Sequence, residues 1–199
     1  MERKGRVFVV AGPSGAGKDT LIRKALQKVE DIHYSVSATT RPPREGEVEG
    51  RDYYFLSDDE FDRLAAQGAL LESEEVFGKR YGTLRSEVET ATASGKNILL
   101  ELDVKGALNV KSKMNDAVLI FIMPPSLEEL ESRLEKRRLD KEGDIKLRTD
   151  IAPREMEIGR NSFDVIIVND DADKATEKLA SVLRGEKTQY GRKTDDDQP

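Results

Sequence analysis

The 199-residue chain contains no cysteine, which excludes a disulfide framework, a zinc–thiolate cluster and a thiol nucleophile, and agrees with a reducing compartment. Its one histidine, His33, is too few for a histidine-based triad or metal centre, and a loop or strand-edge position is expected for it. Long hydrophobic runs are also missing. The longest, Ala117 to Met123, falls far short of the roughly 20 residues that a bilayer-spanning helix needs. The run Val7 to Ala11 is too short for an export-signal core of about 7–15 residues, so the expected location is cytoplasmic, with no membrane partner. Excess positive charge is absent as well: 33 Lys plus Arg stand against 39 Asp plus Glu, for a formal charge of -6. Nucleic acid is therefore disfavoured as a partner, because such partners need a broad basic footprint. No obligate protein partner is evident either.

What is present suffices for one compact domain. Hydrophobic residues at 37%, together with 15 glycines, reach the lower end of the ordinary globular range of about 45–50% apolar plus glycine. Charged residues make up 36%, above the usual figure of about 25%, so charge covers the surface or lines a site for ionic ligands.

The β-branched run Arg6 to Ala11 stops at Gly12-Pro13-Ser14-Gly15, after which Leu21, Ile22, Ala25, Leu26 and Val29 recur at helical spacing. This reads as strand, glycine turn, helix. Further apolar strands are expected at Asn97 to Asp103, Ala117 to Met123 and Asp164 to Asn169, with helices at Val104 to Met114, after Ser126 and at about Asp173 to Leu183. Ser126 and Glu129 have capping-box spacing. Strands apolar on both faces and alternating with helices indicate an α/β fold, a parallel sheet covered by helices on each face.

Two segments have a different texture. Residues Tyr34 to Phe77 contain short alternating stretches and one amphipathic stretch, Asp58 to Gln67, and read as a small mixed-sheet insertion. The basic segment Arg133 to Met156 suits a helical hairpin, and Pro153 is expected to interrupt its returning helix. The polar tail beyond Gly185 is expected to be disordered.

The stretch Gly12-Pro-Ser-Gly-Ala-Gly17-Lys18 matches the phosphate-cradling motif G-x-x-x-x-G-K-[ST] up to its last place, in the strand-to-helix setting the motif requires. Glycines let successive backbone N–H groups turn toward phosphate oxygens, the following helix adds the positive end of its dipole, and Lys18 brings a mobile charge. ATP binding by Gly12, Pro13, Ser14, Gly15, Ala16, Gly17, Lys18, Asp19 and Thr20 follows. Asp19 stands where a Ser or Thr hydroxyl would meet Mg²⁺. Two readings stay open for it: a carboxylate contact to the metal, direct or through water, and a helix-start acid favoured by the dipole.

The run Ser35-Val-Ser-Ala-Thr-Thr-Arg-Pro-Pro-Arg-Glu-Gly-Glu-Val-Glu-Gly-Arg-Asp-Tyr53, followed by Glu72 and Tyr81-Gly-Thr83, resembles the nucleoside-monophosphate site of guanylate kinases. The resemblance extends over residues 5–184 and includes Glu101-Leu-Asp-Val-Lys-Gly-Ala107 and Ile167-Val-Asn-Asp170. It implies a core of about residues 5–33, 84–132 and 157–184, a GMP-binding region at 34–83, a lid at 133–156 and a polar tail at 185–199. It also implies transfer of the ATP γ-phosphoryl group to GMP with Mg²⁺, in purine nucleotide metabolism.

Guanine offers donors at N1 and N2, which carboxylates at Glu72 and Asp103 would accept, with Ser37 and Thr83 serving the remaining positions. By resemblance Arg41, Arg44, Tyr53 and Tyr81 hold the monophosphate, and Asn169 touches adenine, with capping of the next segment as the alternative. Lys18, Arg41, Arg137 and Arg148 would act on the transferring group. Asp103 and Glu101 share a face, and spacing does not assign one to the base and the other to the metal's water, although the resemblance favours Asp103 on guanine.

Two competing readings are a kinase of a sugar phosphate, which the Gly-Lys-Asp variant of the cradle also resembles, and a non-catalytic protein-binding module. Against the first stand Ser37, Glu72, Tyr81 and Thr83, and against the second the intact Gly12, Gly17 and Lys18.

Overall fold

The computed structural model describes residues 4–76, 78–136 and 142–186, the side chains of 142–145 excepted. The chain divides into two compact units, Met1–Val9 with Asp31–Ala117 and Val10–Glu30 with Val118–Pro199. The elements in chain order are β1 (Val7–Ala11), α1 (Lys18–Leu26), β2 (Ile32–Tyr34), β3 (Ala38–Thr39), β4 (Tyr54–Phe55), α2 (Asp58–Ala66), β5 (Leu70–Val76), β6 (Lys79–Leu84), α3 (Arg85–Ala93), β7 (Asn97–Glu101), α4 (Val104–Lys113), β8 (Val118–Met123), α5 (Leu127–Lys136), α6 (Glu142–Ser162), β9 (Val165–Val168) and α7 (Ala172–Leu183). The fold is α/β. Its larger sheet has five strands in the order β2-β7-β1-β8-β9, and its smaller sheet four, in the order β4-β3-β6-β5. None of the described helices is long and apolar enough to cross a membrane.

In the first unit, β2 pairs in parallel with β7, Ile32 opposite Asn97. This strand is a departure from expectation. Tyr34, the first residue of the expected insertion, instead closes β2 of the large sheet, while Ala38 and Thr39 form β3 of the small one. At the edge of its sheet and only partly buried, β2 lacks the apolar run that marks its neighbours.

The small sheet is mixed, as expected: β3 runs parallel to β4 and antiparallel to β6, which in turn pairs antiparallel with β5. Its apolar side buries Ala38, Phe61 and Leu70, with Tyr54, Leu56, Leu64 and Leu84 packed against them. Phe61 comes from α2, which starts on a capping box: Glu60 N–H donates to Ser57 Oγ at 3.3 Å and Ser57 N–H to Glu60 Oε2 at 2.8 Å.

In the second unit β8 and β9 are parallel, Ile120 opposite Val165. Residues Leu119 to Met123 are all buried, as a central strand requires. By contrast β9 is not apolar and buried on both faces: Ile167 is 2% exposed, but Ile166 and Val168 are 42% and 40% exposed. Its place at the end of the strand order accounts for the difference.

Ser126 begins α5 by accepting the Glu129 N–H at 3.1 Å. Leu130 and Leu134 of this helix pack with Ala152 of α6. Contrary to expectation, α6 is not interrupted at Pro153 and runs from Glu142 to Ser162. A proline there removes one helical hydrogen bond, while burial of Ala152 and Met156 on either side anchors the helix across the gap. The link between α5 and α6, including Arg137 and Arg138-Leu139, lies outside the described residues, as do Phe77 and the tail beyond Glu186.

One close approach fixes α6 against β8. A Cβ placed on Gly159 would lie 2.5 Å from Cδ2 of Phe121, whose ring meets Phe163 edge-on at 5.2 Å between centroids. Gly159→Ala should therefore destabilise the fold by about 1–3 kcal/mol, the usual range for overpacking, even though alanine is the better helix former. Denaturant unfolding of both proteins reads the difference.

Candidate functional site

The second unit carries the phosphate cradle between β1 and α1. Gly17, the N-cap of α1, has φ 93, a conformation that side chains other than glycine rarely adopt. A Cβ there would also stand 2.5 Å from Asn169 Nδ2. That amide donates to the Ala16 carbonyl at 2.8 Å. Asn169 is 6% exposed, and its backbone N–H donates to Met123 O at 2.8 Å, so β8 and the end of β9 jointly brace the loop. The alternative reading of Asn169 as a cap for the next segment is overturned: Asp171 caps α7, accepting from Asp173 N–H at 2.9 Å and Lys174 N–H at 3.0 Å.

Lys18 folds back over the loop, its Nζ donating to Gly12 O at 2.7 Å and Pro13 O at 3.2 Å. Arg148 of α6 reaches the same loop, Nη1 donating to Ser14 Oγ at 3.0 Å. Arg133 of α5 bonds Glu129 Oε1 at 2.9 Å and Asn169 O at 3.2 Å. Asp19 and Thr20 are exposed in the first turn of α1, Pro13, Gly15 and Ala16 are buried, and Arg137 lies outside the described residues.

The first unit holds the remaining candidates in two clusters. In one, Glu72 of β5 faces Thr83 of β6 across the ladder, and Thr83 Oγ1 donates to Glu72 Oε1 at 2.7 Å. Both are buried, Glu72 at 4% exposure. Asp103 caps α4, accepting the Gly106 N–H at 2.7 Å. A Cβ on Gly106 would lie 2.9 Å from Asp103 Oδ1 and 3.0 Å from Glu72 Oε2, so the bare glycine lets two carboxylates converge at one spot. Glu101 instead accepts the Tyr34 hydroxyl at 3.1 Å. Ser37 is half-buried beside Ala38, with its carbonyl accepting Tyr54 N–H at 2.9 Å.

Burial pushes the Glu72 carboxyl up to about 7, the Thr83 hydrogen bond opposes this, and the charges of Asp103 and Glu74 add to it. Glu74, a residue the sequence did not single out, is gripped by Lys105 and Asn109 of α4, which holds β5 to the helix that Asp103 caps.

The second cluster centres on Arg41. Its guanidinium lies 5.2 Å from the Tyr53 ring centroid and 5.8 Å from that of Phe55, and the Tyr53 and Tyr81 rings meet at 6.0 Å. Arg41, Tyr53 and Tyr81 are thus brought together. Arg41 is already forked onto a carboxylate: Nη2 donates to Glu47 Oε1 at 2.7 Å and Nη1 to Oε2 at 3.0 Å. The Arg44 N–H donates to the same Oε2 at 2.7 Å, while the Arg44 side chain belongs to an exposed residue.

Glu47 was not foreseen as a site residue; its signal, an acid three places after Arg44 in the turn Arg44-Glu-Gly-Glu47, is weak by itself. Glu87 of α3 was also missed. It accepts from Ser35 Oγ at 2.9 Å, Val36 N–H at 3.0 Å and the Tyr54 hydroxyl at 3.0 Å, and so fixes the segment between β2 and β3 that carries Ser37.

A parallel α/β sheet whose first strand feeds a glycine-rich loop, a lysine and a helix defines the P-loop nucleotide-binding class. The guanylate kinase family model matches residues 4–186. The guanylate kinase of Rubrobacter xylanophilus is 48% identical over 182 residues, 92% of this chain and 95% of that protein. That of Thermotoga maritima is 41% identical over 192 residues, 96% of this chain and 92% of its own. The crystal structure of guanylate kinase from Anaplasma phagocytophilum superposes with a TM-score of 0.77 at 36% identity, covering 94% of this chain and 89% of that one. The chain belongs to the guanylate kinase family.

The Glu72 shift has a consequence for pH. With Glu72 as the acceptor of guanine donors, the role the resemblance implies for it, affinity for GMP should rise as pH climbs from about 6 to about 8 through the Glu72 titration. Stability of the free protein should move the other way. The folded state keeps a proton that the unfolded chain releases near 4.5, so stability is lost as pH rises from there toward 7. Glu72→Gln should raise KM for GMP by about 10- to 10²-fold, in line with a lost charge-assisted hydrogen bond, and should remove this component of both pH profiles. GMP titrations and denaturant melts of the two proteins across pH measure it.

Proposed function

We propose that the chain is a guanylate kinase in which the Glu72–Thr83–Asp103 cluster reads guanine, the Arg41 cluster seats the monophosphate of GMP or dGMP, and the Gly12–Lys18 loop holds ATP. The observation that carries the assignment is the buried Glu72 carboxylate, an acceptor aimed where adenine would supply no matching donor. In this reading residues 34–83 bind the acceptor and residues 133–156 form a lid.

An oxygen of the GMP phosphate attacks the γ-phosphorus of ATP. The bond from that phosphorus to the β–γ bridging oxygen breaks, leaving ADP and GDP. The attacking phosphate oxygen is already a nucleophile near neutral pH, so no protein base is required. Catalysis consists of alignment, charge neutralisation and exclusion of water. Lys18, which now bonds two loop carbonyls, would exchange them for phosphate oxygens. Arg148, which now bonds the Ser14 hydroxyl, would exchange it for the transferring group. The braced loop supplies backbone N–H groups whose geometry is set before ATP arrives.

Mg²⁺, when bound, would offset the charge on the ATP phosphates. The residues suit it. Among the described residues no group of three or more His, Cys, Asp or Glu could hold a metal by itself. Magnesium is commonly held through one or two carboxylates plus substrate phosphates and water, and the exposed Asp19 in the turn after Lys18 is such a carboxylate. A cytoplasmic setting, with ATP as the donor, fits the reaction.

Coupled assay of ADP formation with Mg²⁺-ATP should show turnover with GMP and dGMP, while AMP, UMP and ribose 1,5-bisphosphate should be poorer by about 10⁴-fold, as expected of a site built on hydrogen bonds to its substrate. Turnover of the sugar phosphate without that of GMP would overturn the assignment. Asp19→Ser should raise the Mg²⁺ concentration for half-maximal rate by about 10-fold and change the Mg²⁺ to Mn²⁺ preference, because a hydroxyl is a weaker hard-cation ligand than a carboxylate. Unchanged metal dependence would leave Asp19 as a helix-start acid only.

A further inference from the structure

The fork of Arg41 is filled by the protein itself. Glu47 takes both Nη groups, at 2.7 and 3.0 Å, and its Oε2 accepts in addition the Arg44 N–H at 2.7 Å. The pair is largely withdrawn from water, with side chains 13% and 20% exposed. Tyr53 and Phe55 lie against the guanidinium and fix its plane. The carboxylate thus stands on the donors that the acceptor-site reading gives to the monophosphate. An arginine offers one fork matched to a carboxylate or a phosphate edge, and two anions do not use the same pair of N–H groups at full strength.

We propose that Glu47 is a resident stand-in for the acceptor phosphate, holding Arg41 and the Arg44 backbone in their binding geometry and giving way when a nucleoside monophosphate arrives. The proposal rests on the assignment of the Arg41 cluster to the GMP phosphate. Exchange is favourable for a phosphate dianion, which brings about twice the charge and three acceptor oxygens where the carboxylate brings two. It is unfavourable for a weakly charged or neutral group. Glu47 therefore sets a threshold: it makes the nucleotide's affinity smaller than the donors alone would give, and it denies the seat to ligands without a phosphate dianion. Neighbouring charge agrees with this role, because Arg41 and Arg44 together hold the Glu47 carboxyl below its usual range.

The test compares GMP, guanosine and inorganic phosphate, titrated calorimetrically against the full chain and its variants at a pH of about 8, where phosphate is mainly dianionic. Glu47→Gln keeps the shape of the side chain and removes its charge. It should bind GMP and inorganic phosphate about 10-fold more tightly than the parent, with guanosine affinity unchanged. Glu47→Asp, still charged but one methylene short of the fork, should fall between the two. Weaker or equal GMP and phosphate binding by Glu47→Gln, with guanosine affinity and circular dichroism retained, would overturn the proposal and make Glu47 a fixed strut for Arg41. A Glu47→Gln protein that failed to fold would leave Glu47→Asp to decide, since parental or weaker phosphate affinity in that variant would equally overturn it.

Arg41→Gln separates the proposal from the reading beneath it. If that variant loses GMP affinity by about 10²-fold while guanosine binding stands, the phosphate seat is correct whatever Glu47 does, as expected for loss of a forked charge-assisted contact. If it leaves the ratio of GMP to guanosine affinity unaltered, the seat itself is misplaced and the stand-in falls with it.

Discussion

A carboxylate kept out of water constrains the first unit more than any other group. Burial raises the Glu72 carboxyl to about 7, well above the usual carboxylate range. An isolated buried charge would be costly, and the fold tempers the cost with a donor at 2.7 Å from Thr83 rather than with a cation. A cationic partner would depress the carboxyl and satisfy it permanently. A hydroxyl leaves acceptor capacity on the group, which the proposed reading of guanine N–H groups requires. The β5–β6 register that sets Glu72 opposite Thr83 and the bare Gly106 that admits Asp103 beside it both serve this one placement.

Elsewhere the strong donors are held by the protein's own acceptors, Lys18 by two loop carbonyls, Arg148 by Ser14 and Arg41 by Glu47. Each bond fixes a rotamer-rich side chain near the position proposed for its work and so lowers the entropy that binding would have to overcome. Each also has to be broken. The two effects oppose, and their balance differs with the acceptor: a neutral carbonyl or hydroxyl yields readily to a phosphate oxygen, whereas a carboxylate yields only to a stronger anion.

Much of this architecture was legible in the sequence, because its cause is local. The apolar run at Val7 to Ala11, the glycine loop and the helical period after Lys18 fix the cradle without reference to anything distant. Of the sites that escaped reading, Glu47 has local partners in Arg41 and Arg44 but no pattern that marks it, whereas Glu74 and Glu87 depend on partners remote in the chain. Glu74 meets α4 and Glu87 meets residues before β3, and neither pairing has a sequence period. Asn169 shows the same limit: its place after β9 was plain, but its bond to Ala16 spans the chain. Of the edge strands, β2 lacks the apolar run that would have marked it, while β9 lies where its apolar run places it although Ile166 and Val168 stay exposed. At Pro153 local propensity was simply outweighed by packing on either side.

Asp19 puts a negative charge in the first turn of α1, next to Lys18 of the cradle. A carboxylate adjoining a phosphate seat repels its ligand unless a cation lies between them, and the dipole of α1 offsets that repulsion only in part. The neighbouring Lys18 is no lasting counterweight, because its proposed role hands its charge to the phosphates. A protein that keeps an acid at this place therefore either ties its affinity for the triphosphate to that of the accompanying metal or tolerates a weaker grip. The second course conflicts with the bracing already present, in which Asn169, Met123 and Ala16 are committed to holding the loop in one shape. Rigidity of that kind favours ligands of fixed geometry, and an ATP whose oxygens are already organised by a divalent cation is a better match to it than the bare, self-repelling polyanion.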